Sequence, residues 1–325
     1  MEAPITSDEM RSDSPDTNEA FRLLADGTRL EIVQVLGEAH ASDDPPPMRF
    51  SELRERISAD DPGRINYHLN QLATHFVRRT DEGYELREAG KRIVRVLRSG
   101  TAIDEPVIDP VEVDVACWFC GGAVELSYED GWRQLTCTHC SARCVDTFPP
   151  AVISKNEVPP SGLLDRTPEE IAEADRIWSA HRRASVMDGV CPECAGTMSI
   201  TALDICEDHQ PNWDDYQFCD HCGSIFWMQV AHGCDVCGFS WKLPTLFYPT
   251  RLPEVVAFYH DHGIDLDLAM HEQRKYLLTF EEELLETDPP RIRITIPVED
   301  EELRVTYDER MHVEEVDRTT RSVTT

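Results

Sequence analysis

GRINYHLNQLATHFVRRTDEGYELREAGKRIV, residues 63–94, decides the reading of the N-terminal part of the chain. Ile65, Leu69, Leu72 and Phe76 recur at helical spacing, so a helix over about Arg64–His75 has one apolar face. Its other residues include Arg64, Asn66, Tyr67, His68, Asn70 and Gln71, which suit base edges in a major groove. For His68 two readings stay open, a base contact and a packed side chain. Val77–Thr80 and Tyr84–Arg87, joined by Asp81-Glu82-Gly83, predict a β-hairpin with Arg78 and Arg79 on it. A helix over Glu88–Arg98 closes the unit.

Working upstream, Asp60-Asp61-Pro62-Gly63 makes a tight turn after a short helix, Glu52–Ile57, capped by Ser51. A proline-rich loop, Asp43–Pro47, precedes it. Before that, Asn18–Ala25 is one helix, broken by Asp26-Gly27. Thr28 then caps a second, with Leu30, Val33 and Leu36 as its stripe. Helix, turn, polar-faced helix and hairpin together predict a winged helix-turn-helix over 17–100.

Charge supports that reading. The whole chain carries a formal −31, from 62 acidic and 31 basic residues. Residues 17–100 hold 13 basic against 14 acidic side chains, and residues 63–100 hold 8 against 4. Positive charge is thus gathered where DNA phosphates would lie. Only four of the basic residues are lysine, and this acid-rich, lysine-poor surface suits strong salt, where carboxylate repulsion is screened.

The stretch at 63–94, together with FRLLADGTRLEIVQVL at 21–36, resembles the ArsR-like winged-helix regulators. With the acidic composition and the cysteine pairs below, the chain resembles haloarchaeal ArsR-type regulators with a long C-terminal extension. The resemblance implies a homodimer on a two-fold site in double-stranded DNA. Metal-sensing relatives often carry cysteines in the winged helix; this chain has none before Cys117, which argues against that route of sensing.

Ten of the twelve cysteines fall into C-x-x-C pairs, a metal-binding pattern in a chain without a recognisable export signal. The first set is Cys117, Cys120, Cys137 and Cys140, with 16 residues between the pairs. Cys144 is left over, as a buried thiol or a substitute ligand, and His139 points away. The second set is Cys191 and Cys194, Cys206 and His209, Cys219 and Cys222, Cys234 and Cys237. Two further sites follow, and the equal gaps of 11 residues allow either nested or sequential pairing. In the nested scheme Met198, Ile200 and Ala202 run beside Ile225, Trp227 and Gln229 as antiparallel arms. Three Zn²⁺ per chain are expected, each closed by four protein donors and therefore structural. Eleven thiolates against three divalent cations leave a formal −5, and no motif contains Lys or Arg, so phosphate contact there is disfavoured.

The expected fold is α+β. A disordered tail covers 1–16, the winged helix 17–100, and a proline-punctuated acidic linker 101–115. A zinc ribbon covers 116–148 and a connecting helix 149–190, with Thr167, Pro168 and Glu170 marking the helix start. A double zinc-knuckle module covers 191–245, and an α/β segment 246–325. In the last, Pro253–His262 is a helix stopped by Gly263. Ile292, Ile294 and Ile296, then Leu303, Val305 and Tyr307, form a hairpin, with the last eight residues frayed.

No apolar run reaches a membrane span, so a cytoplasmic protein without membrane contact is expected. The expected function is transcription regulation by sequence-specific DNA binding. The alternative is a zinc-ribbon scaffold whose winged helix contacts protein. An enzyme is disfavoured, since Tyr259-His260-Asp261-His262 has no nucleophile motif beside it.

Overall fold

Alternating and helical apolar patterns each need a partner face, and the chain supplies them in two separate units, Met1–Asp104 and Glu105–Thr325. The computed structural model describes residues 17–39, 47–58, 61–100, 105–209, 218–264 and 279–321. The expected tail over 1–16, most of the loop before Met48 and the tip at 210–217 lie outside those residues.

The first unit runs α1 (Thr17–Leu24), α2 (Gly27–Ala39), α3 (Phe50–Arg56), α4 (Pro62–Leu72), β1 (Val77–Arg79), β2 (Tyr84–Leu86) and α5 (Glu88–Arg98). Asp26, not Thr28, opens α2: its carboxylate accepts the Arg29 N–H at 3.1 Å. Asp61 opens α4, accepting the Gly63 N–H at 2.9 Å, with Pro62 in the first turn. The apolar stripe of α4, Ile65, Leu69 and Leu72, is fully buried against Ile32, Val33, Leu53 and Val77. β1 and β2 pair antiparallel with Val77 opposite Leu86 and Arg79 opposite Tyr84.

His68 belongs to the buried side of α4. Three residues beyond Ile65 and one before Leu69, it is 5% exposed, with Nδ1 3.6 Å from Asp26 Oδ1. The expectation of a base contact is corrected on that ground: helical spacing turns position 68 into the core, toward the start of α2.

Among the described residues the second unit contains three antiparallel sheets. The first has order β3 (Ile108–Val113), β4 (Val124–Glu129), β5 (Trp132–Cys137), β6 (Val152–Glu157). The linker expected over 101–115 is therefore corrected in part, because residues 108–113 are an edge strand. Pro110 is tolerated there because an edge strand needs no donor on its outer side, and the register with β4 shifts between Ile108 and Val111. β6 likewise extends the first cysteine module past residue 148.

α6 (Pro168–Met187) covers this sheet. Its start is as expected: Thr167 Oγ1 accepts the Glu170 N–H at 3.3 Å, and Glu170 accepts the Thr167 N–H at 2.8 Å. A fully buried ion pair, Arg133 of β5 with Asp175 of α6, fastens helix to sheet. Asn156 and Ser179 also donate to the Asp175 carboxylate, at 2.9 and 2.8 Å, so its oxygens are satisfied.

The second sheet is β7 (Met198–Ile205), β8 (Met228–Cys234) and β9 (Ser240–Pro244). β7 faces residues 228–234, with Met198 opposite Cys234. The expected arm over 223–233 is thus shifted, and Ile225 and Trp227 precede the strand. Ile225 instead donates its N–H to the Cys144 carbonyl at 2.9 Å, and Asp146 donates to Gly223 at 2.7 Å. These bonds tie the chain after the first cysteine set to that around Cys222.

The third sheet is a four-stranded meander, β10 (Glu281–Thr287), β11 (Pro290–Val298), β12 (Glu301–Tyr307) and β13 (Val313–Thr320). Ile292, Ile294 and Ile296 face Tyr307, Val305 and Leu303 in register. The hairpin expected from sequence is its centre, and β13 carries order to Thr320, into the stretch expected to fray. α7 (Pro253–Asp261) packs on this sheet through Val255, Phe258 and Tyr259, and Met228 and Val230 of β8 join the same core.

Candidate metal centres and the exposed face of α4

The sequence-predicted donors converge into three groups. Cys117, Cys120, Cys137 and Cys140 form one; Cys191, Cys194, Cys234 and Cys237 a second; Cys206, His209, Cys219 and Cys222 a third. The pairing is nested: the outer knuckles meet across the base of β7 and β8, the inner ones beyond their other end. Within each group the donor atoms lie within 4.8 Å of one another.

The spacing fits four-coordinate metal. Tetrahedral thiolates at about 2.3 Å from a cation stand about 3.8 Å apart. Cys117 and Cys140 sulfurs are 3.8 Å apart, Cys120 and Cys137 3.6 Å, Cys191 and Cys237 3.6 Å, and Cys194 and Cys234 3.6 Å. His209 Nδ1 is 3.5 Å from Cys222 Sγ, as the shorter metal–nitrogen bond requires. None of these is disulfide geometry, which needs about 2.0 Å.

Local backbone builds the knuckles. In four of them the first cysteine donates its N–H to the carbonyl five residues on, and its own carbonyl accepts from the residue four on. Cys117 donates to Gly122 at 2.8 Å, Cys191 to Gly196 at 2.8 Å, Cys219 to Ser224 at 3.0 Å and Cys234 to Phe239 at 2.8 Å. The turn needs a positive φ at the residue directly after the second cysteine, supplied by Gly121, Gly223 and Gly238, and by Ala195 at φ 60°. Glycine directly after C-x-x-C was therefore a signal for this turn that motif spacing alone overlooked. The folded-back N–H groups point at sulfur: Gly122 to Cys120 at 3.4 Å, Cys140 to Cys137 at 3.3 Å, Gly196 to Cys194 at 3.3 Å and Val236 to Cys234 at 3.4 Å. They stabilise thiolate.

Electrostatics also calls for a cation. The Cys237 N–H holds the Cys234 thiol down to about 6. Burial pushes Cys117 up to about 11 and Cys206 up to about 12, the latter aided by the neighbouring Cys222. Four such thiols ionise together at neutral pH only with positive charge between them. Burial also lowers His209, keeping its imidazole neutral and able to ligate.

Residues outside the donor sets hold them in place. The Trp227 indole donates to the Cys206 carbonyl at 2.8 Å, and Cys206 donates its N–H to the Trp227 carbonyl at 3.1 Å. His139 packs against Gly122, where any Cβ would clash, and its ring meets Thr138 Oγ1 at 2.9 Å. Cys144 stands apart from the three groups, its thiol 3.5 Å from the Ile153 carbonyl. Asp261 pairs with Arg318, and His262 with the Phe258 carbonyl and Glu301.

In the first unit, Arg64, Asn66, Tyr67 and Asn70 are exposed on α4, and Gln71 is half-buried. Tyr67 is 57% exposed, unusual for so large a ring. On the hairpin, Arg78 bonds Glu85 across the strands through Nε at 2.6 Å, and Arg79 lies over the Tyr84 ring at 6.0 Å. The structure thus brings seven of the eight expected contact residues to the surface or half-exposure and withdraws His68. Among the described residues no helix is long and apolar enough to cross a membrane.

Comparison with known proteins finds two family models. Residues 17–97 match the Domain of unknown function DUF7347. No curated protein and no solved structure matches the chain. The other model spans residues 114–313, most of the chain and all three donor groups, so the protein belongs to the family described as Domain of unknown function DUF7351.

Proposed function

We propose that the protein is a transcription regulator that reads double-stranded DNA through an ArsR-like winged helix over 17–100, carrying three structural zinc ions in its C-terminal part. The observation behind the reading is the two-sidedness of α4. Ile65, Leu69 and Leu72 are sealed in the core while Arg64, Asn66, Tyr67 and Asn70 face solvent. A surface helix with no binding task has little reason to expose a tyrosine between an arginine and two asparagines.

In this account α4 enters the major groove. Arg64 suits guanine O6 and N7, and Asn66 or Asn70 suits adenine N6 and N7. Arg79 and the more tethered Arg78 contact phosphate and fix orientation rather than sequence. In concentrated salt counterion release adds little affinity, so base contacts and fit must supply the binding. That agrees with a modest excess of positive charge. Phe21 of α1, 69% exposed, and Val96 of α5, 43% exposed, suit burial by a second copy in a homodimer.

Zinc is the metal that best suits tetrahedral thiolate and imidazole donors. Four protein donors per site leave no position for substrate water, so the ions would hold the fold.

Selection from a random duplex pool at molar KCl tests the reading. Wild-type protein is expected to enrich a site with two-fold symmetry. A pool that stays random would overturn it and favour the scaffold alternative.

A further inference from the structure

Charge is distributed unevenly within the second unit. A cleft of about 180 Å³ runs between the first sheet and the chain of β8, β9 and residues 244–247. Trp118 and Phe148 stand on one side with Lys155 of β6. Phe226, Trp241 and Phe247 stand on the other. A second recess of about 150 Å³ shares Lys155, Asn156 and Trp241 and continues to Trp132 and Phe239. Three of the chain's six tryptophans line these two adjoining recesses.

The chain has twice as many acidic as basic residues, yet among the described residues no Asp or Glu lines the larger recess, and Glu157 alone lines the smaller. Lys155, Arg183 and Lys242 do, and the two lysines are half of the four in the protein. Lys155 makes no ion pair among the described residues; its ammonium lies 5.0 Å from the Trp132 ring centroid. Arg183 lies over Phe247 at 4.4 Å, and Asp204 holds Lys242 at 2.6 Å. Cations gathered beside aromatic walls raise the local positive potential of the cleft.

We propose that this cleft binds a small aromatic carboxylate, its ring against the aromatic walls and its carboxylate on Lys155 and Arg183. The larger recess is comparable with the roughly 150 Å³ cavity that accepts benzene, so benzoate fits it and an indole acid would extend into the second recess. Apolar walls with a few convergent polar groups are the usual form of a small-molecule site. The metal clusters set the walls: Trp118 lies inside the first knuckle, and Trp241 follows Cys237 closely.

The test uses the full metal-loaded chain and no DNA, so it succeeds or fails separately from the regulator reading. Calorimetry and tryptophan fluorescence are measured with benzoate, indole-3-acetate and the neutral benzamide at one fixed salt concentration. The acids are expected to bind saturably, and benzamide at least about tenfold more weakly. Lys155→Met and Arg183→Gln should each weaken benzoate about tenfold, with metal content and Tm retained. No saturable binding by either acid, equal binding of benzamide, or unchanged affinity in both folded variants would overturn the proposal.

Discussion

His209 Nδ1 stands 3.5 Å from Cys222 Sγ, although nine residues of chain separate the knuckles that carry them, Cys206–His209 and Cys219–Cys222. That contact closes the inner donor group with its single imidazole. His209→Ala is expected to lose one of three metal equivalents, measured by elemental analysis of the purified chain, while the outer group and the first group keep theirs. His209→Cys should restore three. Loss of two or more equivalents in His209→Ala would contradict independent, nested sites.

Arg133 and Asp175 are both fully buried, and removing one partner strands the other's charge. Arg133→Met should destabilise the second unit by about 3–5 kcal/mol in reversible denaturation. The double variant Arg133→Met/Asp175→Leu should recover much of that loss, because it leaves no buried charge behind. A single variant as stable as wild type would mean that α6 is held by apolar contact alone.

Glu282 of β10 is bonded by Thr245 Oγ1, and burial pushes its carboxyl up to about 7 from an ordinary 4.5. The folded state therefore binds more protons than the unfolded state between those values. Stability falls as pH rises from about 4.5 to about 7, and the penalty is complete above 7. Glu282→Gln removes the penalty, so its gain in stability over wild type should grow progressively from about pH 4.5 to about pH 7 and then level off, at up to about 3 kcal/mol. A difference independent of pH across this range would show that Glu282 titrates normally.

His68 and Arg64 share a helix but not a role. His68→Ala should lower the stability of the N-terminal unit by about 1–3 kcal/mol, through the lost packing and the lost partner of Asp26. Arg64→Ala should change stability by less than about 0.5 kcal/mol. Thermal melts of both variants check this, and a neutral His68→Ala would place that side chain outside the core.

How much was legible depends on which residues carried the order. Ile292, Ile294 and Ile296 announce a strand because one face of β11 is buried, and Thr167 with Glu170 announces the start of α6. The cysteine spacings announced all twelve donors, since chelation needs short, regular turns. β10, with its run Glu281-Glu282-Glu283, and β13, with Glu314 and Glu315, hide from such reading. Both are edge strands, where charge guards an open side and alternation fades. β3 was hidden by Pro110, and His68 by a polar side chain at a position that spacing alone assigns to the core. The aromatic cleft draws on residues from 118 to 247, so no local pattern could reveal it.

Fluorescence anisotropy on the selected duplex at molar KCl, with wild type, Arg64→Ala and Asn66→Ala, tests whether α4 reads DNA. Wild type should bind the duplex saturably and prefer it to a scrambled one. Each variant should lose about tenfold or more in affinity, as expected for a base contact worth about 1–3 kcal/mol, with metal content and Tm unchanged. Equal affinity for scrambled duplex, or undiminished binding by both folded variants, would contradict a DNA-reading role for α4.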